Sequence, residues 1–122
     1  MNLEEKAQKT VLKLLQMTLK GDIEWNRITD TRPLVYGTDD VVPMAYTTSL
    51  AGNIFALYEE RFRTMDPDEN IYWSNRVVLK LIDADGRPVW EFPPTPQLSV
   101  LLRKVQPKAA GVEASLDKVL NW

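Results

Sequence analysis

The side chains of this sequence that could do chemistry are carboxylates, lysines, tyrosines and hydroxyls, because the chain holds no histidine and no cysteine. That removes the usual near-neutral proton shuttle, the commonest metal ligand and the thiolate nucleophile. Two acidic groups remain as acid–base candidates: Glu59 with Glu60, and Asp66, Asp68 and Glu69 around Pro67. A glycosidase-like pair needs a pocket that raises one of its two pKa values. Acids beside a proline are also ordinary turn chemistry. Asp83-Ala84-Asp85-Gly86 resembles a fragment of a calcium loop, but Pro88 and Val89 follow where further oxygen ligands are required. A hairpin turn accounts for the same four residues. The sequence thus assigns no catalytic residue, no metal ligand and no cofactor or cofactor-binding residue.

Basic residues form two further groups. Lys6, Lys9, Lys13 and Lys20 recur on one side of a helical pattern, which a solvated helix face explains as well as a phosphate-tracking surface does. Arg61, Arg63, Arg76 and Lys80 lie near Tyr58, Tyr72 and Trp73, a combination that could stack and neutralise single-stranded nucleic acid. Glu59 and Glu60 are interleaved with them, so cross-strand ion pairing accounts for the same residues. A net charge of −2 disfavours nucleic acid as partner.

The elements that must position these groups follow from periodicity. The chain has 122 residues, 44% hydrophobic and 26% charged, which predicts one domain over residues 1–122. Asn2 as N-cap and Leu3, Ala7, Val11, Leu14, Leu15 and Thr18 as a buried stripe predict a leading helix that ends at Gly21. Asp22 to Ile28 reads as a strand with Ile23 and Trp25 on one face, turned inward to clamp that helix to a sheet. Residues 29–42 read as a long connection with a short edge segment near Leu34 to Tyr36. Strands at 44–50, 54–63, 71–82 and 87–92, separated by turn-forming residues, predict a meander. Thr95-Pro96 starts a helix carrying Leu98, Leu101, Leu102 and Val105, and Pro107 is expected to break it. Ala109, Val112, Leu116, Val119 and Leu120 mark a last helix. The fold class is therefore α+β: an N-terminal helix, an antiparallel four- to five-stranded sheet and two C-terminal helices. Three of the four tryptophans, Trp25, Trp73 and Trp90, fall on strands and are expected to share or flank a core.

The central strands are apolar in both phases, at residues 54–58 and 77–82 apart from Lys80. Such a sheet needs cover on both faces. Either the leading helix takes one face and the closing pair the other, or all helices share one face and a second copy covers the other. The second alternative supplies the functional expectation: a non-catalytic protein-interaction or accessory module whose partner is another protein or itself, as a homodimer. Its surface would combine Phe55, Leu57, Arg61, Arg76 and Val78 with Trp122. The alternative is a small-ligand-binding domain with a pocket between sheet and helices lined by Tyr46, Tyr58 and Trp73. An enzyme or a nucleic-acid binder comes third. No apolar run reaches the roughly 20 residues of a membrane span, the start lacks the apolar stretch of a secretory signal, and no disulfide is available. The expected location is the cytoplasm.

The stretch "LLQMTLKGDIEW" (Leu14–Trp25), with "VVLKLIDADGRPV" and the closing "VEASLDKVLNW", resembles a family of small bacterial proteins. Their leading helix ends Thr-x-x-Gly-x-Ile-x-Trp, here Thr18, Gly21, Ile23 and Trp25, before strands and a closing helix. The sequence departs from that pattern in "TDTRPLVYGTDDVVP" and in its split C-terminal helices. The resemblance implies the fold order above and brings no activity, cofactor or catalytic residue.

Overall fold

The computed structural model describes residues 1–122. Helix α1 (Leu3–Lys20) begins where the Asn2 side chain accepts a hydrogen bond from the Glu5 amide at 2.8 Å. It ends at Gly21, whose φ of 76° is the left-handed conformation that closes helices. Strands β1 (Asn26–Ile28), β2 (Ala45–Leu50), β3 (Asn53–Met65), β4 (Ile71–Ile82) and β5 (Pro88–Glu91) form one antiparallel sheet in sequential order. Helices α2 (Pro96–Ala109) and α3 (Val112–Leu120) follow. This is the α+β meander that the periodicity predicts, with five strands. No helix is long and apolar enough to cross a membrane.

Both α1 and α2 pack on the same face of the sheet. Ala7, Val11 and Leu14 of α1 and Leu98, Leu101, Leu102 and Val105 of α2 close over Tyr46, Phe55, Leu57, Leu79 and Phe92. Trp25 joins this cluster at 6% exposure, and its Nε1 donates to the Thr18 hydroxyl at 2.9 Å. Thr18 in turn donates to the Leu14 carbonyl at 2.6 Å. The indole therefore pins the last turns of α1 to the sheet, with Ile23 half-buried beside it. The strand itself is shorter than predicted. Residues 22–25 serve the anchoring of Trp25, and pairing with β2 starts only at Asn26.

Neither predicted cover for the second face is what the molecule uses. The connection 29–44 folds back over it, placing Leu34 and Val42 on Ala45, Ala56, Tyr58, Val78 and Ile82. The segment near Leu34 to Tyr36 is a 3-10 helix at Arg32–Val35, not an edge strand. Pro33 at its start fixes the φ that such a turn requires. Polar contacts hold the connection down: Thr31 donates to the Val42 carbonyl, the Lys80 ammonium reaches the Leu34 carbonyl at 3.3 Å, and Val41 exchanges both backbone bonds with Arg61. Lys80, the one charge in the apolar run 77–82, thus helps to hold the cover of this face.

Pro107 does not break α2, which runs on to Ala109. A proline lacks the N–H for the bond to the carbonyl four residues back and crowds that carbonyl, but the helix holds for two more residues and the stop comes at Gly111, with φ 65°. Between β2 and β3, Ala51 and Gly52 take φ of 53° and 77°. The left-handed pair matches a tight hairpin turn that favours Asn-Gly. Ala51→Asn is expected to stabilise the fold by about 0.5–1 kcal/mol, read as a raised urea midpoint with unchanged slope. No gain would mean the turn relaxes its strain elsewhere.

Candidate interaction surface

The six residues expected to make one surface are dispersed. Phe55 and Leu57 lie under α1 and α2, and Val78 lies under the connection 29–44. Arg61 pairs with Asn75 and Arg76 with Glu60, on alternate phases of the same strands, so the two arginines point to opposite faces. Trp122 alone of the six is fully exposed. The alternative pocket is not assembled either: Tyr46 is buried on the helix side, Tyr58 on the other side, and Trp73 is exposed on the far part of the β3–β4 hairpin. The basic and aromatic group divides in the same way. Arg61, Arg63 and Trp73 share one face, while Tyr58, Tyr72, Arg76 and Lys80 share the other. A strand apolar in both phases carries no sign of which phase a helix will cover, and this is why the expectation mixed the faces.

Of the tryptophans, Trp25 is a core anchor and Trp90 stacks edge-on against Phe92 at 4.8 Å. Trp73 instead lies on the part of the hairpin where β3 pairs only with β4, and Arg63 sits over its ring at 5.8 Å. Met65, Ile71 and Tyr72 are exposed beside it.

A further uncovered apolar feature is α3. None of its residues is buried, and Leu116, Val119, Leu120 and Trp122 are exposed. Spacing of i, i+4, i+7 and i+8 from Val112 puts the four aliphatic residues on one face. Trp122 follows the helix fully exposed, its amide donating to the Val119 carbonyl at 3.2 Å. Between α3 and residues 21–26 lies a groove of about 890 Å³, bounded among others by Ile23, the edge of Trp25, Val112, Leu116 and Leu120. On α1, Leu12 and Leu19 are also exposed, with half-buried Leu15 between them.

The cross-strand ion pairing expected of Glu59 and Glu60 is found at Glu60, which lies opposite Arg76 on the second sheet face, but the burial of the pair was not foreseen. Glu60 is 2% exposed and its Oε2 accepts from Arg76 Nε at 2.8 Å. Burial pushes its carboxyl above the usual carboxylate range, and the facing Asp40 carboxyl pushes it further in the same direction against the pull of Arg76. Glu91 lies 3.7 Å from Arg76 and 3.9 Å from the Lys80 ammonium. The Tyr58 hydroxyl is buried next to this group with no hydrogen-bond partner, and burial raises its pKa. The only signal for the pair's burial was Glu60 in phase with Ala56 and Tyr58. A buried hydroxyl without a partner is destabilising, so Tyr58→Phe is expected to be neutral or to stabilise by up to about 1 kcal/mol. A loss above about 1 kcal/mol on chemical denaturation would show that the hydroxyl is satisfied in solution.

The acidic side chains assemble no group that could hold a metal ion. No protein-family model matches the chain, and no curated protein and no solved structure matches it.

Proposed function

We propose that this protein is a non-catalytic interaction module, acting in a cytoplasm through contacts with another polypeptide made by α3 and Trp122. The observation that carries this reading is that a nine-residue helix buries none of its own side chains while exposing a continuous apolar face. Isolated helices of that length are marginal in water, and a contiguous uncovered apolar patch marks a partner surface. Trp122 adds the side-chain type most favoured at the centre of such contacts.

The test is photo-crosslinking in the native host from a reactive residue placed at Val119, with exposed Asp85 in the turn between β4 and β5 as control position. Discrete adducts from 119 that are absent from 85 support the reading. Their mass separates a second copy from a different protein. An absence of adducts from 119 in cells that express the folded chain overturns it.

A further inference from the structure

We infer that the occupant of α3 is helix α1 of a second copy of this chain, docked antiparallel and reciprocally about a two-fold axis. The inference rests on the interaction reading above and names its partner.

Apolar spacing comes first. On α3, Val112, Leu116 and Val119 are separated by four and then three residues. On α1, read backwards as an antiparallel neighbour would meet it, Leu19, Leu15 and Leu12 are also separated by four and then three. Leu12 and Leu19 are exposed in the monomer, so the strip is open to receive a neighbour.

Charge is complementary along the same register. At about 100° of turn per residue, Glu113 and Asp117 flank the α3 strip on one side. Lys9, Lys13 and Lys20 flank the α1 strip on the side of the same sign. When helices pack antiparallel, flanks of the same sign meet. Asp117 then falls level with Leu14, within reach of Lys13, and Glu113 falls near Lys20. A parallel docking would set the lysines against the opposite flank of α3, which carries no acid.

Trp122 supplies a third agreement. The register carries it past Leu12 to the level of Gln8 and Lys9. There, a depression of about 240 Å³ bounded by Gln8, Val11, Leu12, Thr95 and Gln97 opens between α1 and the start of α2. The area suffices as well. The exposures of Leu116 (57%), Val119 (71%), Leu120 (81%) and Trp122, applied twice by symmetry together with Leu12 and Leu19, give on the order of 1,200–1,600 Å². That falls in the lower part of the range of specific interfaces, so the association is expected to show as a mass that rises with concentration.

The test is sedimentation velocity of the full chain from low micromolar to several hundred micromolar. The wild type is expected to pass from monomer to dimer. Val119→Lys is expected to weaken association at least about tenfold with little change in the melting temperature of the monomer, since Val119 is 71% exposed in its own chain. Asp117→Lys and Lys13→Glu are each expected to weaken it several-fold, and the double variant is expected to restore it, which no other docking predicts. A chain that stays monomeric throughout overturns the inference. So does a dimer indifferent to Val119→Lys, or a double charge reversal that fails to recover what the single ones lose. A monomeric chain whose position 119 still crosslinks to a different protein in cells removes the second copy as partner and leaves the interaction reading standing.

Discussion

Trp25→Ala is expected to destabilise the fold by about 3–5 kcal/mol, a large share of the roughly 5–15 kcal/mol that holds a domain of this size. The magnitude follows from where the indole sits. It is 6% exposed among Ala7, Val11, Leu14 and Leu101, and no other large side chain of residues 21–28 is buried. Removing it leaves a cavity between α1 and the sheet that small neighbours cannot fill. The polar part of the contact is separable. Trp25→Phe keeps most of the apolar area but deletes the N–H that donates to Thr18, for an expected loss of about 1–2 kcal/mol. Thr18→Val deletes the acceptor and leaves the indole N–H buried without a partner, at a similar or larger loss of about 1–3 kcal/mol. The double variant is expected to lose less than the sum of the two by about 1 kcal/mol, because neither polar group is then left alone. Urea unfolding followed by circular dichroism measures all four. A loss below about 1 kcal/mol for Trp25→Ala would mean that α1 is held by α2 alone.

The same residues show how much could be read in advance. The ends of α1 were legible because Asn2 and Gly21 act locally, through one side-chain cap and one left-handed φ. Hairpins were legible for the same reason: Asp83 accepts from the amides of Asp85 and Arg87, as Asp66 does from those of Asp68 and Asn70. Trp25 was placed against the leading helix because a helix end and a strand start joined by one glycine are close in space, while its bond to Thr18 was not foreseen. The cover of the second face was not legible. Leu34 and Val42 are single apolar residues in a stretch of turn formers, without the period of a helix or strand, and only the closed sheet beneath gives them a role. The candidate surface failed by phase, since Phe55 and Val78 are equally apolar and the strands do not say which side the helices choose. The α3 stripe was legible as a stripe. That none of its residues is buried was not legible, because the stripe itself carries no sign of what it packs against.

Glu60 provides the second large effect, and its sign is opposite to that of most surface carboxylates. Its proton is held more tightly in the folded chain than in the unfolded one, first because of burial and then because Asp40 faces it across the cover. Between the ordinary value of 4.5 and the raised folded value, the native state therefore carries more protons than the unfolded state. The contribution of this group is fully present below that window and is lost as pH rises through the folded value. Above it, Glu60 is ionised where β3 meets the connection, facing Asp40, with Arg76, itself about half exposed, as the nearest counter-charge and Glu91, Lys80 and Tyr58 around it. Arg76→Ala then leaves the carboxylate buried beside Asp40. Discounted for the exposure of the guanidinium, the expected loss is about 2 kcal/mol near pH 8, shrinking toward acid pH as Glu60 takes up its proton. Glu60→Gln removes the titration, so its stability profile should be flatter than that of the wild type across the same window. Urea midpoints measured from about pH 4 to about pH 8 for the three proteins decide the matter. A wild-type profile that rises with pH across this window, or an Arg76→Ala loss that does not shrink toward acid, would show that Glu60 is ionised throughout and that Arg76 alone sets its state.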